Sequence, residues 1–224
     1  MIGRGLRERR GGGAEERARA AIASNPDACS LTVAEVRTWR PSGVDVIITD
    51  PPYVTDDSLD LYAALADFAL DVLPTGAALV TMTDDELLPD VLSVMRRERL
   101  KYRGVVCWRY ESVPLGRDFD RNRFLHWKPV VVHHRDGWAG AKWTTTIVNS
   151  KRPDRSLHAW QQDTEGFRQL VLRFSEPGQV VCDPFAGSGT TGVAALMEHR
   201  KYLGADVDAE AIEQFRERLT RPTA

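Results

Sequence analysis

Cysteine is scarce in this chain of 224 residues: Cys29, Cys107 and Cys182 stand far apart, and no two share a C-x-x-C spacing. That scarcity excludes a disulfide framework and a structural zinc site, and it suits a reducing cytoplasm. Cys107 and Cys182 fall in apolar runs and read as ordinary core residues. Long apolar runs are also missing. No segment approaches the length that crosses a membrane, and the first residues lack the hydrophobic stretch of a signal peptide. No internal repeat is visible. The net charge is only −2, so the overall balance singles out no class of partner.

What is present suits one α/β domain: 42% of the residues are hydrophobic, and the length allows a full core with little room for a second domain. Charge is unevenly spread. From Lys101 to Arg155 twelve Lys or Arg face five acids, a balance of +7, which leaves −9 for the remainder. Such asymmetry fits a polyanion facing one side, although a solvated surface with scattered arginines has the same signature.

Residues 1–25 read as a flexible, basic, Gly/Arg-rich arm leading into a short helix over Ala14 to Ala23, because the triple glycine holds no regular element cheaply. From Asn25 onward, apolar runs alternate with helical patterns. Ala28 to Leu31 predicts a brief strand and Thr32 to Trp39 a helix ended by Pro41. Val44 to Thr49 is a nearly continuous β-branched run, as in a buried parallel strand. Ser58 is placed to cap a helix with Leu61, Leu65, Phe68, Ala69 and Val72 on its apolar face. Ala78 to Thr83 follows as a strand, and Asp84 and Asp85 offer caps for a helix to about Arg97. Further strands are expected at Val105 to Trp108, Val130 to His133, Gln179 to Cys182 and Tyr202 to Ala205. Helices are expected over Gly189 to Glu198 and Ala209 to Leu219. The alternation implies parallel pairing, right-handed crossovers and an open twisted sheet. His133 and His134 adjoin a strand and read as structural; no metal site is expected.

In such sheets ligands bind beyond the carboxyl ends of the strands. Two segments hold that position. Asp183-Pro184-Phe185-Ala186-Gly187-Ser188-Gly189-Thr190 follows one strand: its glycines permit a tight turn and close backbone approach, and the next helix presents free N–H groups. Asp206 lies 23 residues after Asp183, a spacing suited to a carboxylate that binds ribose hydroxyls. On the glycine pattern alone, NAD or a plain structural turn stays open. Asp50-Pro51-Pro52-Tyr53 follows the other strand. Two prolines stiffen the turn, so an acid, a rigid carbonyl and an aromatic ring converge in a way that suits a planar amine; taken alone, it too could be a simple turn.

Together the segments resemble motif IV (D-P-P-Y) and motif I (D-P-F-x-G-S-G-T) of the amino-group DNA methyltransferases. Their order, with the catalytic motif first, looks like the permuted β class, and the resemblance runs from about Ala28 to Leu219. It implies a Rossmann-like, circularly permuted methyltransferase fold with a mostly parallel seven-stranded sheet in the order 3-2-1-4-5-7-6, strand 3 coming first in sequence. It implies S-adenosylmethionine as cofactor, held by Asp183, Phe185, Ala186, Gly187, Ser188, Gly189 and Thr190, with Asp206 on the ribose. Asp50, Pro51, Pro52 and Tyr53 would hold the target amine of a flipped base. Double-stranded DNA is the implied partner, with a homodimer left open. Residues 26–224 would form the single methyltransferase domain, with target-recognition insertions at about 111–127 and 136–157. There Arg117, Arg121, Arg123, Lys142, Lys151, Arg152 and Arg155 are candidate DNA contacts, and Trp138 and Trp143 could stack on bases or pack internally. Two departures stand out. Ser156 to Asp163 lacks the Lys-Pro pair that the family's motif X commonly has near Gln162-Asp163, and Cys29-Ser30, or the earlier Asp27, stands where a Gly-Asp is usual.

Asp at position 50 favours N6 of adenine, since Ser is usual there in N4-cytosine enzymes. N4-cytosine methylation and a weakly catalytic DNA-binding partner of the same fold are the alternatives. No Pro-Cys nucleophile motif is present, which argues against cytosine C5 chemistry, and protein- or RNA-amine enzymes usually place the cofactor motif first.

Overall fold

The computed structural model describes residues 12–53, 55–110, 116–118, 123–137, 145–150 and 163–220. The chain opens with helix α1 (Gly12–Ser24) and a 3-10 turn at Pro26–Ala28, followed by β1 (Cys29–Val33), β2 (Val46–Thr49), α2 (Ser58–Val72) and β3 (Ala78–Met82). Next come α3 (Leu88–Val94), β4 (Leu100–Tyr110), the small hairpin β5 (Gly116–Asp118) and β6 (Arg123–Leu125), β7 (Trp127–Arg135) and β8 (Ile147–Ser150). The remainder is α4 (Thr164–Phe174), β9 (Val180–Asp183), α5 (Thr190–Met197), β10 (Lys201–Asp206) and α6 (Ala209–Thr220).

The main sheet runs β1-β10-β9-β2-β3-β7-β4-β8. Its first seven positions reproduce the order 3-2-1-4-5-7-6, and the first strand in sequence does take the third-strand place beside β10. The sheet has eight strands rather than seven: β8 adds to the edge of β4 in parallel. Only β7 runs against its neighbours, β3 and β4.

Every residue of β2 is buried because both faces of the sheet are covered. Side chains alternate: Val46 and Ile48 join Val80, Trp108, Val193 and Phe215 on one face, where α1, α4, α5 and α6 pack. Ile47 joins Leu79, Tyr62, Leu65 and Phe68 on the other, under α2 and α3. Asp45, the polar residue in the apolar run, fastens β2 to β9 by exchange with Val180: its Oδ2 accepts the Val180 N–H at 2.8 Å while its own N–H reaches the Val180 carbonyl at 3.1 Å.

Several local expectations change. Thr32 to Trp39 is not a helix: β1 continues to Val33 in register with Asp206, and a single turn around Glu35–Trp39 precedes Pro41. Two β-branched residues paired along β10 outweigh one turn of helical spacing. Asp57, not Ser58, occupies the cap position of α2; the Ser58 hydroxyl instead donates to the Thr55 carbonyl at 2.8 Å. The helix expected from Asp84 to Arg97 is confined to Leu88–Val94, with Asp84 accepting the Glu86 N–H in the turn before it. Cys182 is fully buried as expected, but Cys107 is only partly covered.

Candidate active site

Parallel pairing of β2 with β9 (Val46 with Val181, Ile47 with Cys182) delivers the two segments that follow them side by side at one edge of the sheet. Pairing of Gly204 with Asp183 brings the end of β10 alongside. The three strand ends wall a cavity of about 760 Å³. It is lined by Asp50–Tyr53 on one side and by Asp183–Ser188 and Thr190 on the other, with Asp206 and Val207 beyond. That volume lies in the range of small-molecule and cofactor sites.

Asp183 is the hub. It is 2% exposed, and its Oδ1 accepts the Thr49 hydroxyl at 2.5 Å and the Phe185 N–H at 3.1 Å, while Oδ2 accepts the Tyr202 hydroxyl at 3.4 Å. Burial pushes its carboxyl up to about 6, against the opposing pull of its hydrogen bonds from Thr49, Phe185 and Thr191. So Asp183 braces the wall and ties it to the residue that precedes Asp50.

The glycine loop divides its work. Gly187 has φ +47, nothing lies within 4 Å of where its Cβ would be, and its N–H donates to Oδ2 of Asp206 at 2.8 Å. Its side-chain-free face therefore opens on the cavity. Gly189, at φ +81, does not line the cavity; a Cβ there would meet Phe215 at 2.0 Å, so it permits the start of α5 to pack on α6. Asp206 is held on both oxygens, by Gly187 and by the Asp208 N–H at 3.0 Å, and keeps lone pairs for a diol. Behind the loop, Arg218 donates to the Ser188 carbonyl at 3.0 Å and to Glu15 of α1 at 2.8 Å.

On the opposite wall, Lys128 of β7 donates from Nζ to the Tyr53 hydroxyl. Nζ lies 4.4 Å from the ring centroid at the hydroxyl end, so the contact is an edge hydrogen bond rather than a cation over the ring face. Burial pushes the Tyr53 phenol well above its ordinary value, with Asp50, Tyr110, Asp84 and Tyr62 adding in the same direction.

Sequence reasoning did not single out Lys128, the turn Glu35–Arg37, Phe167 of α4 or Val207, all of which border the cavity or its aromatic lip. Lys128 heads the apolar run of β7, and a lone charge at the start of a buried strand is the signal that marks it. Of the candidate DNA contacts, Arg117 and Arg123 lie on the backbone of the β5–β6 hairpin. Arg121, Lys142, Lys151, Arg152 and Arg155 lie outside the described residues, as do Trp138, Trp143 and 156–162. Asp163 caps α4, accepting the Glu165 N–H at 3.3 Å. His133 and His134 are buried within β7; desolvation, with His134 as neighbour, holds His133 down at about 4. Among the described residues no group of three or more His, Cys, Asp or Glu is placed to hold a metal, and no helix is long and apolar enough to cross a membrane.

A family model described as DNA methylase matches residues 96–217, just over half of the chain. The putative methylase YubD of Escherichia coli K12 is 40% identical over 205 residues, covering 82% of this chain and 83% of its own. The chain belongs to the DNA methylase family. A second relative of this DNA methylase is the DNA adenine methyltransferase YhdJ of Escherichia coli K12, 23% identical over 84% of this chain and 80% of its own. Among solved structures, the cytosine-N4-specific PvuII DNA methyltransferase superposes with a TM-score of 0.72 over 88% of each chain at 14% identity, so the two share a fold.

As a DNA methylase the protein takes its methyl group from S-adenosylmethionine, and the cavity fits that donor. A carboxylate fixed for a diol, an open glycine face and the first turn of α5 match a ribose, a close-lying chain and an amino-acid carboxylate. Val207, 67% exposed just past Asp206, offers an apolar surface to a purine ring.

Proposed function

We propose that this DNA methylase methylates N6 of adenine in double-stranded DNA, on a base flipped out of the helix. The observation that carries the proposal is the shared cavity: Asp50–Tyr53 forms one wall and the glycine loop the other, within one enclosure. S-adenosylmethionine supplies an electrophilic methyl group on its sulfonium. The protein's own task is to make a poor nucleophile attack it.

An exocyclic amine is sluggish because its lone pair is drawn into the ring. Asp50 would accept one N–H and the Pro51 carbonyl the other, which favours a pyramidal nitrogen with its lone pair aimed across the cavity. Pro52 keeps the turn stiff, and the face of Tyr53 replaces stacking that the base loses on leaving the duplex. After transfer the nitrogen carries a surplus proton, which the Asp50 carboxylate would accept. Positioning and preorganised electrostatics account for the acceleration, with no covalent enzyme intermediate. Asp183, Phe185, Ala186, Gly187, Ser188 and Thr190 would shape the donor's pocket, with Gly189 supporting the loop from behind and Asp206 on the ribose. Arg117 and Arg123, on the hairpin that precedes β7 in the chain, would meet DNA together with Arg121, Lys142, Lys151, Arg152 and Arg155. Three thiols without a disulfide among them accord with a reducing cytoplasm as the place of work.

Asp at position 50 and the adenine enzyme among the relatives support adenine; the likeness to a cytosine-N4-specific fold supports N4 of cytosine as the second reading. Duplex DNA incubated with the protein and methyl-labelled S-adenosylmethionine, then digested to nucleosides, separates them. Label in N6-methyladenine is expected, and label only in N4-methylcytosine would overturn the base assignment. Asp50→Ala should reduce transfer by about 100-fold or more, and an undiminished rate would sink the assigned role of the turn.

A further inference from the structure

We propose that Lys128 is a positioning residue: it grips the hydroxyl edge of Tyr53 and so holds the ring with a face toward the cavity for the target base. The inference rests on the reading of Asp50–Tyr53 as the amine-binding turn. Lys128 is only 8% exposed. A lysine rarely stays that buried unless its ammonium is hydrogen-bonded, because an unpaired buried charge is strongly penalised. The Tyr53 hydroxyl is such an acceptor.

The two residues differ in how firmly their backbones are held. Lys128 sits in β7 between two strands: it is in register with Trp108 of β4, and the next carbonyl, that of Pro129, accepts the Thr83 N–H at 3.0 Å. Tyr53 lies on a turn beyond the end of β2, outside any ladder. A hydrogen bond from a strand residue thus transfers the sheet's rigidity to a loop aromatic. Its direction matters as well. Because Nζ approaches along the hydroxyl edge, 4.4 Å from the centroid, it does not cover a π face, whereas a cation over the ring would occupy the surface a base needs. The phenolic oxygen accepts from Lys128, and its own proton stays available as a donor within the site.

The test is a double-mutant cycle with a spectroscopic arm. Lys128→Met removes the donor at similar length, and Tyr53→Phe removes the acceptor while keeping the ring. Each should lower kcat on duplex DNA about tenfold through misplacement of the ring, with KM for S-adenosylmethionine unchanged. The double variant should be no slower than the slower single, because both changes delete one contact. In protein labelled at tyrosine Cζ, the resonance lost in Tyr53→Phe should shift in Lys128→Met without DNA or cofactor present. Losses that multiply in the double variant, an undiminished kcat in Tyr53→Phe, or an unmoved resonance would each overturn the positioning role. A wild-type protein that transfers no methyl group to any DNA would instead defeat the proposed function and the role together, with the resonance still reporting the contact.

Discussion

The Thr49 hydroxyl donates to Oδ1 of Asp183 at 2.5 Å, across 134 residues of sequence. Asp50 follows directly after β2, and two residues beyond Asp183 is Phe185 of the loop, so this bond registers the Asp50–Tyr53 turn against the glycine loop. Thr49→Val keeps the shape of the side chain and deletes the donor beside a buried carboxylate. It should destabilise the fold by about 1–3 kcal/mol and raise KM for S-adenosylmethionine. Thermal melting and initial-rate kinetics check both, and an unchanged KM would show that the loop holds its place without Thr49.

Two buried groups should give stability opposing slopes with pH. Asp183 has a folded value of about 6 against an ordinary 3.8, so the folded protein holds the proton more tightly than the unfolded chain. Its contribution is fully present below about 3.8 and is lost as pH rises through about 6. His133 is the reverse, about 4 when folded against 6.5 unfolded, so its contribution is present above 6.5 and is lost as pH falls through about 4. Urea unfolding between pH 4 and 7 checks this. Asp183→Asn should gain stability relative to wild type as pH rises through that window, and His133→Gln should gain as pH falls. Parallel curves for either variant and wild type would contradict the corresponding assignment.

Gly187 and Gly189 should fail in different assays when changed to alanine. At Gly189 the new methyl group would lie 2.0 Å from Phe215 in a left-handed backbone, so the fold should lose about 1–3 kcal/mol. At Gly187 the methyl group meets open space, so the fold bears only the strain of its left-handed backbone at φ +47, and the further harm should fall on the cavity it enters. Gly187→Ala should therefore weaken S-adenosylmethionine binding in calorimetry by more than Gly189→Ala does, relative to each variant's loss in melting temperature. Equal losses on both scales would remove the distinction.

Most of the sheet is legible from the chain because its buried strands are short apolar runs with β-branched residues, as in Val46–Thr49 and Val180–Cys182. The two motifs are legible because a glycine turn and a double proline constrain the backbone wherever they occur. Thr32–Trp39 misleads because helical spacing and strand pairing compete there, and only the presence of β10 decides. Helix α4 carries Phe167, Leu170 and Val171 at helical spacing behind a capping Asp163, yet it adjoins a segment whose departure from motif X draws attention away from that period. Strand β8 is four residues long, and its pairing with β4 is a tertiary fact with little local signature. Lys128 counts as one of twelve basic residues in a stretch suited to DNA; charge is written in sequence, but the direction a side chain faces is not.

The pairing of β1 with β10 has a consequence for the order of synthesis. The Asp50–Tyr53 turn is made early, whereas β9, which carries the glycine loop, and β10, which joins β1 to the rest of the sheet, are made far later. Contacts so distant in sequence form late, after the intervening chain is available. A nascent chain halted before β9 would therefore display Asp50–Tyr53 with no opposing wall, and it would be inert toward DNA until β9 and β10 had been made.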